Sequence, residues 1–368
     1  MKGMDRRGVL AVGAALPVTA ALPASRPVSG RSDGPARLSL NENAFGPSPR
    51  VARAITGALP DLARYADQAD VDRLAARVAA IEGVGPEQIL FGDLLTTLGQ
   101  HLAARSPAGG RFIYSLPGYT ALVDSARPLG AEGIGVPLDN ELRDDLPALS
   151  QAIDEHTRAL FLVRPHNPSG TAHPWDRFSD FLATASKRTL VIVDEAYLDY
   201  DDPKASAVAL TRAGANVAVF RTFEKIHGLA ALPLGYVVAP APLAKALKAD
   251  GIGAAHSLSR MALVAANAAL DDPAWTGEVR RRTIAGRDRL HAVLDRLGIV
   301  RSASRANFIF FRSPIEAARL RARLAQSGII VGRAFPPLGE WVRITVGTEA
   351  EVDRTISALQ RALVDHSQ

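Results

Sequence analysis

Three short apolar runs, within RALFLV (158–163), TLVIV (189–193) and VAVF (217–220), lack the polar alternation of a half-exposed strand. Runs of that length and character are expected of strands buried on both faces in a parallel sheet. EQILFGDLLTTLGQHLAAR (87–105) reads as a strand ending at Phe91, a glycine at 92 and a helix beginning near Asp93, and RFIYSLPGYTALVDSA (111–126) as another strand and loop. Before them, residues 51–83 carry helix-period apolar positions broken by Pro60 and by DLARYADQ. After Pro240 the pattern turns helical through LAKALKAD, RMALVAANAALDD and a long basic amphipathic stretch from Trp275 to Leu297. ANFIFFR, a helix near 317–325, GIIVGRAF and WVRITVG then alternate strand and helix, as a smaller α/β unit would. The expected layout is a large α/β domain over 50–245, built on a mostly parallel sheet, and a small α/β domain over 246–368. An arm over 25–49, rich in Gly, Ser, Pro and Asn, is expected to be extended rather than part of a core and to join the small domain.

The amino terminus departs from this pattern. Lys2, the pair Arg6–Arg7, an apolar stretch from Val9 to Leu22 and small residues after it match an export signal of the twin-arginine type, ending near residue 24. Pro17 and Pro23 interrupt a run already short for a membrane span, so no stable span is expected once the signal is removed. Export by that route implies a periplasmic protein that crosses the membrane folded; without use of the signal it would be cytoplasmic.

Composition narrows the class. With 368 residues, 47% hydrophobic and 22% charged, the chain can bury a large core like an ordinary globular enzyme. Of the net charge of +5, Lys2, Arg6 and Arg7 against Asp5 supply +2, and no basic cluster interleaved with aromatics marks a nucleic-acid surface. The absence of cysteine excludes disulfides and thiolate metal sites, and no metal is expected.

Candidate chemistry gathers at the ends of the apolar runs, where open α/β sheets form ligand crevices. Asn167 follows the first run, Asp194 and Tyr197 the second, and Lys225 the third. The helix start at Gly92–Asp93 offers unpaired backbone N–H groups suited to an anion. In order and spacing, VRPHNPSG (163–170), TLVIVDEAYLDY (189–200), RTFEKIHGLA (221–230) and WVRITVGT (341–348) resemble the fold-type I pyridoxal-phosphate aminotransferases, and within them the histidinol-phosphate aminotransferase group. The resemblance runs from LNENAFGPSP (40–49) nearly to the carboxyl terminus.

That resemblance implies pyridoxal 5'-phosphate as cofactor. Lys225 is then the amine that holds its aldehyde and afterwards moves a proton, and Asp194 the carboxylate that keeps the pyridine nitrogen protonated. Asn167 and Tyr197 match positions that hydrogen-bond the cofactor's phenolic oxygen, and Tyr119 the position whose ring stacks on the pyridine. Gly92, Asp93 and Thr222 fall where the phosphate docks. Tyr65 matches a tyrosine that reaches the phosphate of the other subunit, which implies a homodimer. Arg343 matches the arginine that binds a substrate α-carboxylate, with Asn43 in the arm and Arg333 as further substrate candidates. Two positions depart from the pattern: Glu224 stands where a serine precedes the lysine, and Pro233 where an arginine follows it by eight residues. Asp93, too, puts a carboxylate beside the phosphate unless it turns away to cap the helix.

The expected activity is transfer of an amino group between an amino acid, apolar or aromatic, and a 2-oxo acid by a ping-pong mechanism. Relatives that use histidinol phosphate place an arginine directly after the GII-x strand, whereas Gly332 stands there and Arg333 follows one residue later. On a strand that shift turns the side chain to the opposite face, which argues against a phosphorylated substrate. Histidinol-phosphate transamination, a pyridoxal-phosphate lyase on the same scaffold and a degenerate cofactor-binding protein are the alternatives.

Overall fold

The computed structural model describes residues 34–364; the proposed signal at 1–24 and the first part of the arm lie outside them. Seven strands form the main sheet: β2 (Ile89–Gly92), β3 (Arg111–Leu116), β4 (Glu132–Pro137), β5 (Thr157–Val163), β6 (Leu190–Asp194), β7 (Val217–Thr222) and β8 (Gly235–Val238), in the order β2-β8-β7-β6-β5-β3-β4. All neighbours are parallel except those of β8, which is antiparallel to both β7 and β2. The exception follows from the connection. A parallel return usually needs a helical crossover, and the segment between β7 and β8 is a short loop without a helix.

The three apolar runs are the three central strands. Along β5 and β6, alternate residues enter different cores: Leu160, Leu162, Val191 and Val193 join one, and Phe161, Val163 and Ile192 the other. Burial on both faces explains why these strands carry no polar alternation. Each parallel strand therefore delivers its polar carboxyl-terminal neighbour to the same edge of the sheet, and the chemistry collects there.

A further core lies around β9 (Phe308–Arg312), β10 (Ile329–Val331) and β11 (Trp341–Thr345), covered by the helices Ala317–Gln326 and Glu349–Val364. The helix Pro273–Arg296 links the cores. Val279 packs with the main sheet, whereas Leu290 and Leu294 pack with the carboxyl-terminal strands. The helix Arg260–Leu270 packs Ala262, Leu263, Ala265 and Ala266 into a core of the main sheet. Part of the arm is core, contrary to the sequence expectation. β1 (Ala36–Leu38) pairs in parallel with β10 and buries Ala36 and Leu38 while exposing Arg37. Three residues are too few for alternation to stand out in a Gly- and Pro-rich stretch. No described helix is long and apolar enough to cross a membrane.

Beyond β1 the arm lies on the loop between β7 and β8. Asn43 Nδ2 donates to the carbonyl of Ile226 at 2.9 Å, and Trp275 Nε1 donates to the carbonyl of Gly46 at 3.2 Å. Gly228, with φ of +72°, permits this approach, because a Cβ there would meet the Gly46 carbonyl carbon at 2.6 Å and Pro47 N at 2.8 Å. Gly228→Ala combines a left-handed alanine with a backbone overlap and should destabilise the protein by about 2–4 kcal/mol. Denaturant unfolding measures this, and a wild-type midpoint would show that the arm is not seated there.

Candidate active site

A cavity of about 290 Å³ opens at the carboxyl-terminal edge of the main sheet. Asp93, Tyr119, Asn167, Asp194, Tyr197, Thr222, Lys225, Arg333 and Arg343 all line it. Residues far apart in sequence, such as Asn167 and Arg343 at a separation of 176, meet because their strands end on one edge or fold back over it. Gly92 stands at the end of β2 behind this wall, with φ of +141°.

A hydrogen-bond relay fixes the centre of the wall. Arg343 Nη1 donates to Asn167 Oδ1 at 2.5 Å, and because a guanidinium only donates, the amide oxygen must face it. The Asn167 amide nitrogen consequently points to Tyr197 Oη, at 3.5 Å, while Asn41 Nδ2 donates to the same oxygen at 3.1 Å. With two donors directed at it, the Tyr197 oxygen has its own proton left to give into the cavity. The ring is held edge-on against Phe308, with centroids 5.2 Å apart.

Asn41 was missed in the sequence analysis, which placed Asn43 among the substrate residues. Asn43 does not line the cavity; its amide is used on the backbone of Ile226, and its Oδ1 accepts from Phe45 N. Asn41 is buried in the left-handed region, φ +58°, and Thr345 Oγ1 both accepts from its backbone N–H and donates to its side-chain oxygen. Asparagine's tolerance of positive φ suits it to this turn, but both asparagines of LNEN share that property.

Two charged groups are buried without an opposite charge in contact. The Asp194 carboxylate accepts one hydrogen bond, from Ala196 N at 2.9 Å, and burial pushes its pKa up to about 7, with the nearby Lys225 opposing the rise. Arg343 donates to Asn167 and to the carbonyl of Ser39 at 2.9 Å, leaves Nε without a partner, and has no carboxylate within ion-pair distance among the described residues. Burial, and then the charge of Arg333, lower its pKa. Buried charges normally find partners, so each is matched to an ionic group that enters the cavity. Burial, with Asp194 next, pushes the Tyr119 phenol up to about 12 and keeps it protonated.

Arg333 corrects the expectation drawn from strand register. β10 ends at Val331, so Gly332 and Arg333 are not strand residues and the alternation of faces does not reach them. The Arg333 guanidinium lies 4.8 Å over the Phe335 ring at the exposed mouth of the cavity. Tyr65 is 84% exposed and outside the cavity. Arg221 is held among Asp199, Glu82 and Glu195 at 3.0, 3.6 and 3.9 Å, and His227 packs against Phe223. Pro233 is exposed in the loop before β8.

The sequence matches the aminotransferase class I and II family over residues 35–359. The chain belongs to that family. It is 35% identical over 358 residues to an aromatic amino acid aminotransferase of Corynebacterium jeikeium, covering 94% of this chain and 93% of that protein. It is also 35% identical over 330 residues to histidinol-phosphate aminotransferase 2 of Caulobacter vibrioides, covering 89% of this chain and 86% of that protein. The crystal structure of histidinol-phosphate aminotransferase from Sinorhizobium meliloti in complex with pyridoxal-5'-phosphate aligns with a TM-score of 0.81 at 29% identity, covering 90% of this chain and 91% of that one. The fold is the fold-type I α/β transferase fold, and the protein is a pyridoxal-phosphate-dependent transaminase.

The ring end of the cofactor fits the aminotransferase cavity. A protonated pyridine nitrogen would supply the missing counter-charge of Asp194, and a phenolate oxygen would accept the unused proton of Tyr197. Asp194→Asn tests the cost of the unpaired carboxylate. In the wild-type apoprotein the folded pKa is raised above the unfolded value, so the stability linked to this group is present below about pH 4 and lost as pH rises through about 7. The melting temperature of Asp194→Asn minus that of wild type should therefore grow over this interval without cofactor and not with it. Parallel curves would remove the assignment.

Proposed function

We propose that this aminotransferase moves the amino group of an apolar or aromatic amino acid to a 2-oxo acid by a ping-pong mechanism, and works as an exported homodimer. The observation that carries the substrate is Arg343, a buried guanidinium with an unused Nε and no carboxylate partner. A planar donor of this kind matches a substrate α-carboxylate, which histidinol phosphate lacks. Leu40 and Phe335 supply apolar wall, and Phe335 lies 4.8 Å from the Arg343 guanidinium. Arg333, exposed at the mouth, is suited to a distal carboxylate on the acceptor. Charges at exposed positions are worth little, so an apolar donor suffers little from leaving Arg333 in water. The same residue favours a second reading, in which it takes the phosphate of histidinol phosphate.

When bound, pyridoxal phosphate supplies the aldehyde that accepts the amino group and the ring that withdraws electrons from the bond being broken. Lys225 Nζ would hold that aldehyde between turnovers and, once freed by the incoming amino group, would carry the proton from the substrate Cα to the cofactor. Asp194 would keep a proton on the ring nitrogen, and Tyr197 Oη would donate toward the phenolic oxygen. Tyr119, on the loop after β3, covers a ring face.

Leu59, Leu62 and Tyr65 are exposed on one short segment, which supports a dimer that covers them. The twin-arginine sequence supports export, and a histidinol phosphate pool in the cytoplasm would then be out of reach.

Borohydride reduction and peptide mapping should find the cofactor on Lys225; a label on another lysine would sink that role. In a panel of phenylalanine, tyrosine, leucine, glutamate and histidinol phosphate with 2-oxoglutarate as acceptor, kcat/KM should be highest for an apolar or aromatic donor. Arg343→Ala should lower it about 10- to 100-fold, the scale of hydrogen bonds to a charged group. A clear win for histidinol phosphate, undiminished in Arg343→Ala, would establish the second reading instead. Light scattering should give the mass of a dimer.

A further inference from the structure

The other end of the cavity is acidic. β2 and β7 flank β8, and Gly92 and Thr222 both pair with Gly235 across it. Asp93 and Glu224 therefore leave the sheet at the same level, their strands about 10 Å apart, and both line the cavity. Asp93 occupies the N-cap position of the 11-residue helix Leu94–Ala104, yet its side chain makes no capping hydrogen bond. The carboxylate is thus not drawn away from the cavity by the helix. Among the described residues the side chain of Glu224 makes no hydrogen bond either; its backbone N–H is engaged by Thr222 Oγ1 at 3.1 Å. Among the described residues neither carboxylate has an Arg, Lys or His nitrogen within 4.0 Å. Of the cations around them, Arg221 is held by three carboxylates, Arg333 and Arg343 belong to the mouth and to the side of Asn167, and Lys225, which also lines the cavity, would be taken up by the aldehyde.

Asp194 and Tyr197 hold the ring at the end of β6, and Lys225 holds the aldehyde at the end of β7. The cofactor's phosphate then falls toward the helix start beyond β8, between Asp93 and Glu224. A phosphate monoester carries about −1.5 to −2 charges at neutral pH. A helix amino terminus offers the equivalent of about +0.5, which two carboxylates outweigh.

We propose that Asp93 and Glu224 form an acidic rim that opposes the cofactor's phosphate, so that this transaminase grips pyridoxal phosphate mainly by its ring end and discriminates weakly between the phosphorylated and phosphate-free forms. The inference rests on the ring-end assignment of Asp194, and the phosphate-free ligand separates the two. A fault in the ring-end assignment changes both affinities, whereas the rim acts on the phosphate alone.

The test is equilibrium titration of the full-length apoprotein with pyridoxal phosphate and with pyridoxal, followed by absorbance, for wild type, Glu224→Gln and Asp93→Asn. Each variant should bind pyridoxal phosphate about tenfold more tightly, the change that 1.4 kcal/mol produces, with pyridoxal unaffected. Salt gives an independent readout. Because screening weakens repulsion, raising ionic strength should tighten pyridoxal phosphate binding to wild type and have a smaller effect on the variants. Several outcomes would overturn the proposal: unchanged or weaker pyridoxal phosphate binding in both variants, equal shifts for the two ligands, or wild-type affinity that falls with salt. The last is what a cation from elsewhere in the assembly, neutralising the rim, would produce.

Discussion

The site depends on one relay of hydrogen bonds, from Arg343 through Asn167 to Tyr197 and Asn41. Arg343 is on β11, Asn167 and Tyr197 follow β5 and β6, and Asn41 is in the arm. Three parts of the chain are thereby tied at one point. Because a guanidinium only donates, Arg343 orients the Asn167 amide toward Tyr197, while Thr345 orients that of Asn41, and the relay ends with a phenolic proton to give to a ligand. Unpaired members of a buried polar network are costly, and the arm supplies two of the partners, the Ser39 carbonyl to Arg343 and Asn41 to Tyr197, leaving Arg343 Nε over. The arm is therefore part of the catalytic structure, with β1 anchoring one end and Gly228 accepting the other.

The charges around the relay are segregated. Arg343 and Arg333 lie on the side of the carboxyl-terminal strands and the mouth, Asp194 lies at the sheet's centre, and Asp93 and Glu224 lie beyond β7. A transaminase binds an anionic substrate and an anionic cofactor, so the placement of unpaired charges determines which is held strongly. Here two of the cations, Arg343 and Arg333, stand beside Asn167 and at the mouth. The Asp194 carboxylate, costly to bury alone, is suited to a protonated ring as its counter-charge.

Much of this could be read from the residues in order. Continuous apolar runs mark doubly buried strands because burial on both faces leaves no polar position, and the polar residue after each run must fall at the sheet's edge. Lys225, Asp194, Asn167 and Tyr197 were legible for that reason, and Arg343 through the spacing of the motifs. Asn41 was not, since local sequence cannot say which asparagine of LNEN turns inward; contacts with Thr345 and Tyr197, 304 and 156 residues away, decide it. Arg333 was named as a candidate and lines the cavity, but the register argument about its face fails because that rule holds only while the strand lasts, and β10 is three residues long.

The sequence by itself determined the periodic elements, the class of fold and the residue types available for chemistry, because these depend on local patterning and on side-chain character. Tertiary structure alone decided the reversed direction of β8, the pairing of β1 with β10, and the inclusion of Asn41 rather than Asn43 in the cavity. It also decided that the Asp93 carboxylate stays uncapped while Arg221 is occupied by three acids. Each of these is settled by which distant groups come within hydrogen-bond or ion-pair reach, a quantity fixed by packing between segments rather than by the order of residues within one.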